Sequence, residues 1–489
     1  MKILDRETIE SIGIPSAVLM ERAALSTVEE ILRSSYSLSH VIVVAGCGNN
    51  GGDGVCVARL LKERHYEPEV FVLGEPKSGS ECAGQLLIAD RIGVKITTGS
   101  ATECQKFLQE HPATLLIDAV FGVGFHGDLP DDISMLIEAI NAGNVPVVAV
   151  DIPTGVNASS GKVTKNATKC DLTVTYGAYK IGQFLYPGCT YCGKVAMHEI
   201  GIHPGKTVDE SDLYALERDD LKAIQRPDYS NKGTFGKVLL IAGSKDVGGA
   251  AILSAKAAFT SGAGMVKAVT HENNREALLS AAPEVMLKTY TDTAPDLSEE
   301  LKWADVIAIG PGISYSDIAR SMLEAVIRGC SLPLVLDADA LMLLKDHAEL
   351  QKELQDPVRT VIITPHLGEF SKLTGSDMRK ITDDLPGTCR SYAKDHELIC
   401  VLKDARTVIS NGERTYLNLS GNSGMATAGS GDVLLGLIAS LLGQGLGGLD
   451  AAATGCFIHG LAGDEAAGKY GKSGMVASNI IEAFHCFMV

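Results

Sequence analysis

The sequence lacks the excess of basic residues that proteins binding nucleic acids or anionic membranes carry. Its 43 lysines and arginines are outnumbered by 60 aspartates and glutamates, and the formal net charge is -17. Such an acidic chain repels phosphate backbones and anionic lipid headgroups. We therefore expect neither a nucleic-acid partner nor a membrane partner, and a polyphosphate ligand must be held by local dipoles and a few basic groups.

The sequence also lacks an apolar run long enough to cross a membrane. Its longest uncharged stretch, 433–449, contains five glycines, a serine and a glutamine, whereas a spanning helix needs about 20 predominantly apolar residues. The opening residues MKILDRETIE carry charge from the second position and lack the apolar core of a signal peptide. These features predict a soluble, cytoplasmic protein.

Paired cysteines at zinc-finger spacing are missing as well. Cys189 and Cys192 form a lone C-x-x-C with no second pair, so two unrelated loop thiols are the favoured interpretation. The 12 cysteines are scattered and mostly lie in apolar segments. They are typical of reduced thiols that pack as small hydrophobic side chains.

The length predicts two α/β domains. A chain of 489 residues is too long for one hydrophobic core, because cores stop growing at about 250 to 300 residues. Short apolar runs such as VIVVAG at 41–46 and KVLLIAG at 237–243 alternate with helical patterns, which is typical of doubly wound sheets. A polar segment with two prolines lies between the halves. We predict domains over 1–205 and 225–489, joined by a linker over 206–224.

A glycine-rich loop follows the first apolar run. Residues 46–54 read GCGNNGGDG and open a helix, so backbone amides there can hold an anion. The spacing matches the G-x-G-x-x-G fingerprint of nicotinamide dehydrogenases, and a plain strand-to-helix turn is the simplest alternative. However, the loop also holds two asparagines and an aspartate, whose oxygens suit hard cations.

Two further strand ends carry a carboxylate. Asp118 precedes a glycine-rich loop in LIDAVFGVGFHGDLP, and Asp151 ends the next apolar run in VAVDIPTGVN. The carboxyl ends of parallel strands meet at one edge of a doubly wound sheet, where such folds bind ligands. The three polar strand ends therefore predict a single site.

The first half of the chain resembles the NAD(P)H-hydrate epimerase family. The motifs that carry the resemblance are GxGNNGGDG, DAxFGxG and VDIPxG, in this order, together with LMERA at 19–23. The resemblance covers roughly 1–205 and implies a Rossmann-like fold. It implies a potassium ion held by Asn50, Asp118 and Thr154, the last where the family usually has serine. We predict Asp151 as the acid/base group, since one carboxylate can protonate a departing hydroxyl and recover a proton from returning water. The implied contacts with the hydrated nucleotide are Asn49, Asn50, Gly51, Gly52, Asp53, Gly122, Val123, Gly124, Phe125, His126, Gly127, Asp128 and Asp151.

The second half carries a run of small residues before an apolar helix, NSGMATAGSGDVLLG at 422–436. Backbone amides of Gly429, Ser430 and Gly431 can form an anion hole for a phosphoryl group. Asp432 then lies in the first turn, aimed at a substrate hydroxyl; the alternative is an aspartate that merely complements the helix dipole. The sequence has no Walker lysine loop, which disfavours a P-loop kinase.

The GSGD sequence before a helix resembles the ribokinase-like superfamily and implies that Asp432 acts as a base. Five further motifs narrow the resemblance to ADP- or ATP-dependent NAD(P)H-hydrate dehydratases over about 225–489. They are NKGTFGKVLLIAGS, IGPG, LDADAL, TPHLGEF and KDART. This resemblance implies a ribokinase-like α/β/α domain. Asn231 and Asp404 depart from the usual histidine and glycine, and the role of Asp404 stays open. The implied substrate contacts are Ala250, Gly312, His366 and Asp432. The implied nucleotide contacts are Lys403, Asp404, Ala405, Arg406, Thr407, Asn422, Ser423, Gly424, Met425, Ala426, Thr427, Ala428, Gly429, Ser430 and Gly431.

Together the resemblances predict a bifunctional isomerase and lyase that repairs hydrated NADH and NADPH. It would epimerise the C6 hydroxyl from R to S and dehydrate the S epimer through phosphoryl transfer and phosphate elimination. Magnesium is expected with the nucleotide, and ADP is predicted over ATP because fused, bacterial members tend to use ADP. A homo-oligomer is compatible with the sequence by analogy alone. Two alternatives remain: a ribokinase-like vitamin or sugar kinase fused to a Rossmann-like domain, and a non-enzymatic scaffold.

Overall fold

The computed structural model describes residues 2–203, 213–223, 226, 228–355 and 358–488. The chain divides into two compact units, residues 1–210 and 211–489. Residues 206–212 and 224 of the predicted linker 206–224 lie outside the described residues. Inside it, Leu213–Tyr214 form a short strand that pairs with residues 415 and 416 of the second unit, a strand that the sequence did not predict. Among the described residues, no helix combines the length and apolar character needed to cross a membrane.

The first unit is a seven-stranded parallel sheet with helices packed against it, as the sequence predicts. The strand order is β3-β2-β1-β4-β5-β6-β7. The strands are β1 (Val41–Ala45), β2 (Glu69–Leu73), β3 (Lys95–Gly99), β4 (Leu115–Ala119), β5 (Val147–Val150), β6 (Leu172–Tyr176) and β7 (Lys194–His198). The helices are α1 (Lys2–Arg6), continued by a π-helical turn (Glu7–Ile12), α2 (Ser16–Arg33), α3 (Asn49–Glu63), α4 (Glu81–Arg91), α5 (Ala101–Glu110) and α6 (Asp131–Ala142).

The central strands of this sheet are continuous apolar runs because both of their faces are covered. Every residue of β1, β4, β5 and β6 is buried, as expected of parallel sheets packed between helices. The strand order reverses between β1 and β4, and a doubly wound sheet opens a crevice outside its carboxyl edge at that point. The loops after β1, β4 and β5 therefore meet there.

The second unit is built on a ten-stranded sheet of order β11-β10-β9-β12-β13-β14-β15-β16-β17-β8. Strands β9 to β15 pair in parallel, whereas β16 is antiparallel to β15 and β17. The strands are β8 (Leu213–Tyr214), β9 (Lys237–Ile241), β10 (Met265–His271), β11 (Met286–Tyr290), β12 (Val306–Ile309), β13 (Leu334–Leu336), β14 (Val361–Ile363), β15 (Ile399–Leu402), β16 (Val408–Ser410) and β17 (Thr415–Leu417).

Helices α16 and α17 form the apolar interior beside this sheet. All residues from Val433 to Leu442 in α16 are buried, and Gly436 lets α16 approach α7, because a Cβ there would lie 2.2 Å from the carbonyl oxygen of Ser254. The N-terminus of α16 is thereby held over the sheet. The helices are α7 (Gly249–Thr260), α8 (Arg275–Ala281), α9 (Ser298–Trp303), α10 (Asp317–Gly329), α11 (Asp339–Asp346), α12 (Ala348–Glu353), α13 (Leu367–Thr374), α14 (Met378–Asp383), α15 (Leu385–Asp395), α16 (Ser430–Gly443), α17 (Gly448–Tyr470) and α18 (Ala477–Ala483).

Candidate functional site

A cavity of about 830 Å³ opens at the carboxyl edge of the first sheet. The loops after β1, β4 and β5 contribute to its wall, together with Asp5 and Ile9 from the N-terminal helical segment. Nine of the predicted substrate contacts line it: Asn49, Asn50, Asp53, Gly122, Val123, Gly124, Phe125, His126 and Asp151. The four others, Gly51, Gly52, Gly127 and Asp128, do not line the cavity.

The loop after β1 is folded tightly on itself. A Cβ on Gly51 would lie 1.8 Å from the carbonyl oxygen of Gly46, and one on Gly46 would lie 2.2 Å from the carbonyl oxygen of Val120. Gly52 packs against Met20 in the same way, with 2.8 Å to its terminal methyl carbon. Gly46 and Gly51 are therefore required by close contacts with backbone oxygens, and α3 begins between them at Asn49, which lines the cavity.

Asp151 lies directly after β5 in a left-handed backbone conformation, with φ of +67°. Its Oδ1 accepts hydrogen bonds from Lys180 Nζ at 2.5 Å and from Thr175 Oγ1 at 3.0 Å. Its backbone carbonyl accepts a hydrogen bond from Gln183 Nε2 at 2.8 Å. The carboxylate is thus held in one orientation at the cavity wall.

Three more carboxyl groups, those of Asp5, Asp53 and Glu81, line the same cavity. Burial raises the pKa of Asp53 well above its usual range, and the nearby charge of Asp151 adds to that rise. The same two causes raise the pKa of Asp5. Burial also raises the pKa of Tyr176, whose hydroxyl lies 2.5 Å from Thr27 Oγ1. The cavity therefore combines groups that favour the neutral form with the Asp151–Lys180 ion pair.

Asp118 and Thr154 lie close together behind the cavity. Thr154 donates to Asp118 Oδ1 through its hydroxyl at 2.6 Å and to Oδ2 through its backbone amide at 2.8 Å. Burial raises the pKa of Asp118, although these hydrogen bonds oppose the rise. The side-chain amide nitrogen of Asn50 is buried without a hydrogen-bond partner among the described residues. A carboxylate, a hydroxyl and an unsatisfied amide are thus available to a cation at this strand edge.

In the second unit, α16 presents an accessible N-terminus. Gly429, the residue before the helix, adopts φ of +88°, and no residue from 427 to 432 is buried. Asp432 lies in the first turn of the helix. Burial, and then the charge of Asp337, raises the pKa of Asp432 to about 6, although Lys403 opposes the rise. The turn therefore meets the requirement of an open anion-binding helix start with a carboxyl group beside it.

An ion pair lies against this helix start. Lys403 donates to Asp337 Oδ1 at 2.9 Å, and Asp337 is only 2% exposed at the end of β13. A Cβ on Gly431 would lie 3.3 Å from Lys403 Nζ and 3.4 Å from Asp337 Oδ2. The structure thus brings together Lys403, Gly431 and Asp432, which the sequence placed in one site, and adds Asp337.

Two local contacts involve the predicted substrate residues of the second unit. Gly312 packs against Ala250, with 3.2 Å between the position of a Cβ on Gly312 and the Cβ of Ala250. His366 is joined to Lys403 by a backbone bridge, so the loops after β14 and β15 lie side by side. His366 caps α13, accepting hydrogen bonds at Nδ1 from the amides of Gly368 and Glu369.

The small-residue run 422–428 is anchored to α17. Asn422 Nδ2 donates to Gly463 O and to Asp464 Oδ1, both at 2.9 Å. Arg406 donates to Leu419 O at 2.7 Å, which ties the predicted segment 403–407 to the start of that run. Asp404 is exposed.

Sequence reasoning missed Lys180, Asp337 and His459. Lys180 belongs to no quoted motif, and its signal is only a lysine that is 5% exposed. Asp337 was inside the quoted LDADAL motif without a role. His459 is buried in α17 with Nε2 3.5 Å from Ser430 Oγ, and burial lowers its pKa to about 4. Each of the three contacts a site residue that is far away in the chain: Lys180 contacts Asp151, Asp337 contacts Lys403 and His459 contacts Ser430.

Comparison with known proteins identifies a matching family for each half of the chain. Residues 16–182 match the family described as YjeF-related protein N-terminus, and residues 238–485 match the family described as NAD(P)H-hydrate dehydratase. A bifunctional NAD(P)H-hydrate repair enzyme from Thermofilum pendens is 34% identical over 98% of this chain and 93% of its own length. Another from Moorella thermoacetica is 35% identical with the same coverage.

A solved structure supports the fold of the second unit. A ribokinase-like superfamily protein from Enterococcus faecalis is 28% identical, covering 58% of this chain and 98% of its own, with a TM-score of 0.50. The predicted fold class, family and enzyme class are confirmed, and the kinase-fusion and scaffold alternatives are set aside. With relatives of this identity matched along nearly its whole length, the chain belongs to the family of bifunctional NAD(P)H-hydrate repair enzymes.

Proposed function

We propose that the first unit interconverts the R and S epimers at C6 of hydrated NADH and NADPH, and that the second dehydrates the S epimer with ADP as phosphoryl donor. Two observations support the proposal. The Asp151 carboxylate is fixed at the wall of a cavity of about 830 Å³, and Asp432 lies beside the open N-terminus of α16. The predicted domain limits of 1–205 and 225–489 remain part of this proposal.

In the first unit, Asp151 acts as the acid/base group of epimerisation. The C6 hydroxyl neighbours the ring nitrogen, whose lone pair can expel it once the hydroxyl is protonated. Water then adds to the opposite face, and a carboxylate that gave up a proton takes one back, so the proton balance closes. General acid/base catalysis of this kind contributes about 10²- to 10⁴-fold to rate.

A potassium ion fits the edge formed by Asn50, Asp118 and Thr154. The unsatisfied amide of Asn50 supports this, because the oxygen and nitrogen of a side-chain amide are assigned from hydrogen bonding, and turning the amide over supplies an oxygen ligand. Carboxylate, amide and hydroxyl oxygens suit a hard cation. When bound, the ion would supply positive charge that helps an acidic chain hold the nucleotide's phosphates.

In the second unit, Asp432 takes the proton of the C6 hydroxyl while that oxygen attacks the terminal phosphorus of ADP. The amides from Gly429 to Gly431 stabilise the transferring phosphoryl group, and AMP leaves. The ring-nitrogen lone pair then expels the new phosphate ester as inorganic phosphate. Loss of a proton from C5 restores the dihydropyridine ring.

Lys403 is the basic group that this reaction needs beside the helix start. It contacts Asp337 and lies against Gly431, where its charge would offset that of a bound polyphosphate. Magnesium would enter with the nucleotide, because it is commonly held by one or two carboxylates and by phosphate oxygens rather than by a dedicated protein cage. The described residues contain no group of three or more His, Cys, Asp and Glu side chains arranged to hold a metal ion.

The proposal is tested by incubating the protein with purified S hydrate and either ADP or ATP while following the absorbance of the reduced nicotinamide. We expect absorbance to return with ADP, with one phosphate released per nucleotide restored. A stable phosphorylated product without regained absorbance would instead support a kinase. Activity with ATP alone would overturn the choice of donor.

A further inference from the structure

We propose that Lys180 is a positioning residue of the epimerase site, which holds one oxygen of the Asp151 carboxylate inside the protein and leaves the other for the substrate. The inference rests on the proposed epimerase function. It concerns a residue outside the motifs named in the sequence analysis, and it follows from hydrogen-bond geometry around Asp151.

The ammonium group of Lys180 is fully occupied within the protein. It donates to Asp151 Oδ1 at 2.5 Å, to Thr175 Oγ1 at 2.7 Å and to the carbonyl oxygen of Tyr176 at 3.0 Å. A lysine ammonium has three N–H donors, so none is left for a substrate unless one of these bonds breaks. With a side chain only 4% exposed, Lys180 acts through Asp151.

The two oxygens of Asp151 have different surroundings. Oδ1 accepts from both Lys180 and Thr175, and Thr175 can donate to Asp151 because its own hydroxyl oxygen accepts from Lys180. No described residue donates to Oδ2, and Asp151 lines the cavity. The free oxygen is therefore the one that can exchange a proton with the hydroxyl or with water.

The backbone on both sides of the ion pair is locked by one side chain. Gln183 accepts from the amide of Lys180 at 2.9 Å and donates to the carbonyl oxygen of Asp151 at 2.8 Å. This bridge joins the loop that carries Lys180 to a residue with φ of +67°, a conformation that side chains other than glycine rarely adopt. The structure thus fixes both partners of the pair.

The ion pair also sets the charge of the cavity. The other titratable groups that line it are Asp5, Cys47, Asp53, Glu81, His126 and Tyr176. Burial raises the pKa of Asp5, Asp53 and Tyr176. Asp151 adds to those rises, whereas Lys180 opposes them at Asp5 and Asp53. Lys180 is thus the positive charge that offsets the carboxyl groups around Asp151.

The test is the rate of R-to-S conversion, followed by chromatographic separation of the two epimers, for the full chain and its Lys180→Met variant. We expect kcat to fall by about 100-fold or more, with little change in KM, because Asp151 loses the donor that fixes its orientation. Lys180→Arg, which keeps charged N–H donors at this place, should recover part of kcat. A merely structural lysine would alter stability without a loss confined to kcat that the arginine rescues.

Thr175→Val keeps the proposal testable if the lysine variants fail to fold. It removes only the bridging hydroxyl and should lower kcat by a smaller factor than Lys180→Met does. Thr173→Val is its matched control, because Thr173 lies on the same buried strand but donates to Cys192 O at 2.7 Å. Wild-type kcat in both Lys180→Met and Thr175→Val would overturn the inference, as would equal losses in the two threonine variants. Absence of epimerisation in the wild type would instead overturn the proposed function.

Discussion

Lys403 and Asp337 form an ion pair of 2.9 Å that lies directly against the start of α16. The two residues are 66 positions apart in the chain and come together because their strands end at the same edge of the second sheet. The ion pair lies so close to Gly431 that a side chain at this position would crowd it. The pair therefore links the lysine of the predicted nucleotide segment to the predicted anion hole.

Gly431→Ala should weaken use of the nucleotide. The new Cβ would stand 3.3 Å from Lys403 Nζ and 3.4 Å from Asp337 Oδ2, tight enough to displace the ammonium group. Loss of one hydrogen bond to a charged group costs about 1.5–3 kcal/mol, which corresponds to about a ten- to hundredfold fall in kcat/KM for ADP. Steady-state kinetics with varied ADP measures it. Gly468→Ala, a helical glycine with nothing within 4 Å of a new Cβ, is the control, and equal kcat/KM for the two variants would contradict this role.

Dehydration should depend on a group that titrates near pH 6. Asp432 must be ionised to accept a proton, and burial with Asp337 nearby raises its pKa to about 6, so the rate should fall as pH drops through that value. His459, whose pKa burial lowers to about 4, stays neutral in this window. The pH–rate profile for the S hydrate measures the limb.

Asp432→Asn should abolish that limb and lower kcat by about 10²- to 10⁴-fold. Asp317→Asn is the matched control, because Asp317 also lies in the first turn of a helix but its side chain is 96% exposed. Retention of activity in Asp432→Asn would show that the carboxyl only complements the helix dipole.

Thr154→Val should remove the dependence of epimerisation on potassium. The substitution deletes the hydroxyl that donates to Asp118 at 2.6 Å and, with it, one of the three proposed oxygen ligands. Thr154→Ser keeps the hydroxyl and should keep the potassium response. Epimer interconversion is measured with potassium or with a bulky organic cation at equal ionic strength. A wild-type rate that is the same in both salts would remove potassium from the account.

Gly51→Ala should destabilise the first unit by about 1–3 kcal/mol, as overpacking of a tight contact does. Its Cβ would lie 1.8 Å from the carbonyl oxygen of Gly46. Gly84→Ala, in α4 with nothing within 4 Å, should instead be mildly stabilising, by about 0.5–1 kcal/mol. Denaturant unfolding of both variants makes the comparison. Equal stability would mean that the loop relaxes around the added methyl group.

Sequence patterns predicted the parallel sheets, the loops of the first cavity and the helix start of the second site, because apolar periodicity and glycine-rich turns are local signals. They predicted a glycine-rich loop over 46–54 that opens a helix, and the structure begins that helix inside the loop, at Asn49. Glycine has poor helix propensity. The helix extends through the loop because Gly51 packs against Gly46 and Gly52 packs against Met20.

The ion pairs could not be predicted from sequence. Lys180 lies 29 residues from Asp151 in an irregular segment, and lysine is almost never buried unless it is paired. Asp337 stood inside a quoted motif, yet its partner depends on how β13 and β15 are ordered in the sheet. Such contacts are set by tertiary structure, which leaves no periodic trace in the chain.

The most direct test of the central claim is the extent to which the protein restores a mixture of R and S hydrates in the presence of ADP, followed by the absorbance of the reduced nicotinamide until it stops changing. We expect the wild type to restore the whole mixture. The Asp151→Asn variant should restore the S fraction rapidly and then stop, with the R epimer left behind. Complete restoration by Asp151→Asn at the wild-type rate would contradict it.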